Sequence, residues 1–125
     1  MKEEPLMKIL LVDDNPIFWE GLKNLLEAGG TAEICTAQSG REALEKAASF
    51  APDAVLMDAE MHPFSGLETA RLLLRKDSRV KIILMSERKV DAGQIKCCGS
   101  VGLLDKNMDA KALFELLGRM ERNGP

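Results

Sequence analysis

Val55-Leu56-Met57-Asp58-Ala59-Glu60-Met61 runs apolar and then stops on a bare carboxylate. With Ala54 in front, the first four residues of the run read as a strand buried on both faces, because no polar residue alternates through them. Three other short runs end in the same way. Ile9-Leu10-Leu11-Val12 meets Asp13-Asp14, Ile82-Ile83-Leu84-Met85 meets Ser86, and Val101-Gly102-Leu103-Leu104 meets Asp105-Lys106. Four buried strands of this kind belong side by side in one parallel sheet. Open α/β sheets gather their functional groups outside the carboxyl ends of the strands. The spacing therefore predicts that Asp13, Asp14, Asp58, Ser86 and Lys106 converge on one pocket with Asp58 at its centre.

Between the strands the sequence turns helical. Asn15-Pro16 opens a first helix, with Asn as N-cap and Pro in the first turn, where its missing N–H costs nothing. Phe18, Leu22, Leu25 and Leu26 give that helix its inner stripe, with Trp19 at the border, and Gly29-Gly30 ends it. A weaker second strand spans 32–36, and Glu33 within it marks an edge. Ser39-Gly40-Arg41-Glu42 and Ser65-Gly66-Leu67-Glu68 are capping boxes. They open helices whose inner faces read as Leu44, Ala47 and Ala48, and as Leu67, Ala70 and Leu74. The stretch from Glu87 to Gly99 makes a poor helix, with Gly93 at its centre. The stretch from Met108 to Met120 makes a clear one, with Leu113, Leu116, Leu117 and Met120 on one face. The expectation is a single doubly wound α/β domain, (βα) five times, with helices on both faces. Residues 1–6 are expected as a flexible tail, 7–121 as the domain and 122–125 as a C-terminal tail, with no output domain in the sequence.

Composition narrows the function. The chain has 125 residues, enough for one real core, and 46% of them are hydrophobic. No apolar run nears the roughly 20 residues of a membrane span. No secretion signal is legible. A net charge of −3 argues against direct nucleic-acid binding. Cys35, Cys97 and Cys98 have no metal-site spacing and read as reduced thiols of a cytoplasmic protein.

The chemistry lies in the carboxylates. Three of them within a few ångströms need a shared proton or a divalent cation, and a hard oxygen pocket suits Mg²⁺. Lys106 adds a compact positive charge and Ser86 a hydroxyl donor. This set suits phosphoryl transfer onto Asp58, where catalysis is positioning plus electrostatics.

The motifs Val12-Asp13-Asp14-Asn15-Pro16, Leu56-Met57-Asp58, Leu84-Met85-Ser86 and Gly99-Ser100-Val101-Gly102-Leu103-Leu104-Asp105-Lys106 resemble the receiver domain of two-component response regulators. The resemblance covers about residues 7–121. It implies a flavodoxin-like sheet of strand order 2-1-3-4-5 and a set of roles. Asp58 takes the phosphoacceptor position. Asp14 and Asp58 bind Mg²⁺ with the backbone carbonyl of Glu60, and Asp13 helps through water. Ser86 and Lys106 take the switch-hydroxyl and lysine positions. The implied donor is a phosphohistidine on a sensor histidine kinase or a histidine phosphotransfer protein, with homodimerisation on phosphorylation a common outcome. A receiver catalyses its own phosphorylation and slow dephosphorylation but turns over no independent substrate.

Some residues depart from the family pattern. Leu103 stands where Tyr or Phe is usual in the switch, Glu87 follows Ser86 where a small residue is usual, and His62-Pro63 replaces Pro-Gly. Glu60 and Arg88, both read as solvent-facing, hold positions that tune phosphoryl lifetime in the family. These departures keep open an alternative, a receiver-like interaction module that signals without phosphate. Two enzyme or cofactor readings fit less well. An aspartate-based phosphatase needs an Asp-x-Asp nucleophile that Asp13-Asp14-Asn15 does not supply. A flavodoxin needs a phosphate-cradling loop after the first strand, where Asp13-Asp14 would repel phosphate.

Overall fold

A computed structural model describes residues 7–28, 30, 32–61, 65–86 and 101–105, with backbone alone at 16, 18 and 101–105. Five strands form one parallel sheet: β1 (Met7–Val12), β2 (Ala32–Ala37), β3 (Ala54–Asp58), β4 (Lys81–Ser86) and β5 (Val101–Asp105). Their order across the sheet is β2-β1-β3-β4-β5, as the resemblance implies. The weak second strand does lie at an edge. Three helices separate the first four strands: α1 (Pro16–Ala28), α2 (Gly40–Phe50) and α3 (Gly66–Lys76). The expected helices over 87–99 and 108–120, and both tails, lie outside the described residues.

Strand alternation sorts the core into two layers. Leu10, Val12, Val55, Met57, Ile82 and Leu84 face α2 and α3, packing with Ala43, Ala70 and Leu73. Ile9, Leu11, Leu56, Ile83 and Met85 form the other layer with Leu26, Leu22 and Trp19 of α1. The first four residues of β3, Ala54 to Met57, are fully buried, which is why the sequence there shows no alternation of polar and apolar. The sheet thus forms a rigid floor, and it presents the strand ends in register.

Local signals fix the helix starts. Asn15 Oδ1 accepts from the Ile17 N–H at 3.1 Å. Ser39 accepts from Glu42 N–H at 3.1 Å. At α3 the capping box is complete: Ser65 Oγ accepts from Glu68 N–H and Glu68 Oε1 accepts from Ser65 N–H. The Ser65→Ala substitution should cost about 1 kcal/mol of stability, read as a lower denaturant midpoint at unchanged slope. Beyond α3, Asp77 closes the turn into β4. The Arg79 backbone N–H donates to its carboxylate at 3.0 Å and, as the largest cause, holds the Asp77 carboxyl below its ordinary value.

The inner stripes differ in detail from their sequence reading. Leu25 is 41% exposed, and Leu26 and Leu22 carry the α1 contact instead. On α2, Ala48 is exposed, whereas Ala43 is buried against the sheet with Leu44 and Ala47 beside it. On α3, Leu73 is buried alongside Ala70. A 3.6-residue period identifies a face but leaves its rotation free by one position. Packing on the sheet selects the rotation.

Candidate functional site

The carboxyl ends of β1 and β3 bring the acidic residues together. The last register pair of β1 with β3 is Val12 with Met57, so Asp13 and Asp58 are the next residues on neighbouring strands. One carboxylate oxygen from each of Asp13, Asp14 and Asp58 lies within 4.8 Å of the others. Asp13 is 1% exposed and Asp58 5% exposed, whereas Asp14 is open to solvent.

Each buried carboxylate is oriented by the chain that follows it. Asp13 Oδ1 accepts from the Asn15 N–H at 2.8 Å, and Asp58 Oδ1 accepts from the Glu60 N–H at 3.0 Å. Both are Asx turns, which carboxylates form readily at a strand-to-loop transition. Backbone hydrogen bonds then tie the loops to their neighbours: Asp13 N–H to Ala37 O at 3.1 Å, Ala59 N–H to Met85 O at 2.9 Å and Gly66 N–H to Ala59 O at 3.0 Å. Ala59, which follows Asp58, is thus held between β4 and the start of α3.

Ser86 ends β4 on the next strand and is 2% exposed. Its hydroxyl donates to Glu60 Oε1 at 2.8 Å. Glu60 is exposed, as its sequence reading expects, yet its carboxylate reaches back into the pocket. Beyond Ser86, β4 pairs with β5 so that Ser86 lies opposite Asp105. Lys106 itself lies outside the described residues, as do Glu87, Arg88 and His62-Pro63. Leu103 is described only as backbone in β5.

Two features of the site were not read from the sequence. Gly66 is one. A Cβ at this position would stand 2.2 Å from the Asp58 backbone oxygen and 2.7 Å from Ala59 Cα. The first turn of α3 therefore rests directly on the Asp58–Ala59 peptide. The other is the Glu60 side chain as partner of Ser86. The first had a faint signal, a glycine one position into a capped helix. The second had none, since residues 60 and 86 meet only through the sheet.

The donor set is hard oxygen, anionic and partly open to water, which fits a Mg²⁺-class cation rather than a soft transition metal. Comparison with known proteins gives the same direction. The family model for the response regulator receiver domain matches residues 9–118.

The chain belongs to the response regulator receiver family.

Among curated relatives, the nitrate/nitrite response regulator protein homolog of Haemophilus influenzae is 32% identical over 117 residues, 91% of this chain and 56% of the relative. The transcriptional regulatory protein LnrK of Bacillus subtilis is 33% identical over 122 residues, 95% of this chain and 56% of the relative. The chain thus spans about half the length of these relatives. Among solved structures, the Vibrio cholerae chemotaxis protein CheY4 superposes with a TM-score of 0.86 at 26% identity, covering 92% of this chain and 98% of that one. A receiver domain protein from Clostridium thermocellum gives 0.85 at 25% identity, covering 94% and 96%. The chain is a receiver domain of response regulators, a phosphoacceptor class of domain. No helix among the described residues is long and apolar enough to cross a membrane.

Proposed function

We propose that this receiver, over residues 7–121, takes a phosphoryl group from a phosphohistidine onto Asp58 in the cytoplasm and changes conformation for a downstream partner. The observation that carries this reading is the buried Asp58 carboxylate, with Asp13 and Asp14 oxygens within 4.8 Å of it and a buried hydroxyl at the end of the neighbouring strand.

The proposed chemistry follows from the chain's own groups. The Glu60 N–H holds Asp58 Oδ1 and so fixes the plane of the carboxylate. Attack on phosphorus comes from the other oxygen. A P–O bond forms to Asp58 as the donor's P–N bond breaks, and the leaving imidazole takes up a proton. Asp13, Asp14, Asp58 and the Glu60 backbone carbonyl would hold Mg²⁺, which when bound supplies the positive charge that lets an anionic donor approach three carboxylates. Lys106 would hold a further phosphoryl oxygen. Ser86, once turned towards the acceptor, would donate to another. Homodimerisation on phosphorylation and a sensor kinase as donor belong to the same proposal.

The test is intact mass after incubation with Mg²⁺ and a small acyl phosphate, followed by reductive trapping of the acyl phosphate and peptide mapping. One adduct at residue 58, absent without Mg²⁺, is the expected result. No adduct, together with no binding of a beryllofluoride mimic, would overturn the reading in favour of an interaction module that signals without phosphate.

A further inference from the structure

The Ser86–Glu60 hydrogen bond carries a consequence beyond the acceptor chemistry. A serine hydroxyl has one proton to donate. Here that proton is directed at Glu60 Oε1, 2.8 Å away. In the proposed phosphorylated state the same proton is needed by an oxygen of the phosphoryl group on Asp58. The two acceptors lie on one loop, two residues apart in sequence, and only one can hold the proton at a time.

We propose that the Glu60 carboxylate is a positioning residue that competes with the phosphoryl group for the Ser86 proton and so holds the receiver in its unphosphorylated arrangement. The proposal rests on the reading of Asp58 as phosphoacceptor and adds to it. The family resemblance assigns position 60 an influence on phosphoryl lifetime. The competition assigned here acts before and during uptake, through Ser86.

The geometry supports this in three ways. The hydrogen bond is charge-assisted, which makes it stronger than one between neutral groups. Ser86 is 2% exposed, so little water competes for its hydroxyl. Glu60 sits on a held backbone: its own N–H donates to Asp58 Oδ1, and the preceding Ala59 is tied by its N–H to Met85 O and by its carbonyl to Gly66 N–H. The carboxylate is therefore delivered to Ser86 by a held backbone.

The experiment measures beryllofluoride affinity at saturating Mg²⁺, by calorimetry or by the fluorescence of Trp19, the single tryptophan. Five proteins are compared: the parent, Glu60→Ala, Glu60→Gln, Ser86→Ala and the Glu60→Ala/Ser86→Ala double variant. Glu60→Ala should tighten binding by about tenfold, the size expected from removing one charge-assisted competitor. Glu60→Gln, which keeps an acceptor but loses the charge, should fall between Ala and the parent. In the Ser86→Ala background the Glu60→Ala gain should shrink below twofold, because no proton is left to contest. An equal gain in both backgrounds would mean simple relief of charge repulsion and would overturn the proposal, as would no gain in either. If the parent binds no beryllofluoride while remaining folded, the acceptor reading itself fails and the proposal goes with it. Parent binding with no Ser86-dependent gain overturns the proposal alone.

Discussion

The Asp58→Asn variant is expected to fold as the parent does and to take up no phosphoryl group. The substitution is isosteric. The side-chain oxygen of Asn can still accept from the Glu60 N–H, so the turn that anchors Asp58 Oδ1 at 3.0 Å survives. What disappears is the proposed nucleophile and one of the three carboxylates whose oxygens lie within 4.8 Å. Two readouts should move together. The adduct in intact mass falls to background, and the stabilisation conferred by Mg²⁺ falls with it. A cation present at about 100 times its dissociation constant stabilises the native state by about 2.7 kcal/mol, so the parent should melt visibly higher with Mg²⁺ than without, and the variant should show little of that rise. An Asp58→Asn protein that still gains a phosphoryl group at the same peptide would place the acceptor elsewhere.

The Gly66→Ala variant should lose both stability and phosphoryl uptake, although residue 66 carries no functional group. The added Cβ would meet backbone atoms, the Asp58 oxygen at 2.2 Å and Ala59 Cα at 2.7 Å. A flexible side chain could swing aside from such a contact, but here the first turn of α3 must retreat from β3. That movement strains the Gly66 N–H to Ala59 O bond and the capping box beside it. Overpacking of this kind costs about 1–3 kcal/mol, and the rigid partner places Gly66→Ala at the upper end. Urea unfolding should show the loss as a lower midpoint. The rate of adduct formation should fall more than the stability loss explains, because the displaced peptide is that of Asp58, the proposed acceptor. A variant that unfolds earlier yet is phosphorylated at the parental rate would show that α3 does not set the geometry of Asp58.

The fold was legible because its signals are local or compositional. A parallel strand covered on both faces has no polar side to display, so Ile9 to Val12, Ala54 to Met57 and Ile82 to Met85 stand out as unbroken apolar runs. Caps act within four residues, so Asn15, Ser39 and Ser65 announce their helices in the sequence itself. Once right-handed parallel crossovers are accepted, the strand ends must lie together, and Asp13, Asp14, Asp58 and Ser86 follow.

What only the tertiary structure decided is whatever depends on the distance between residues far apart in the chain, or on how a helix is rotated against the sheet. Leu25 and Leu26 are equally apolar, and the packing of α1 on Ile9 and Leu11 buries the second and exposes the first. Asp13 and Asp14 are identical in type, and one step along the chain takes the carboxylate from the buried end of a strand to solvent. Gly66 is in contact with Asp58 because α3 returns onto the loop it left. Glu60 reads as a surface residue and is one. Its hold on Ser86, 26 positions later, exists only because β3 and β4 are neighbours. A sequence records which groups are available and what their immediate neighbours do. The competition between two acceptors for one proton is a property of a distance, and that distance is set by the sheet.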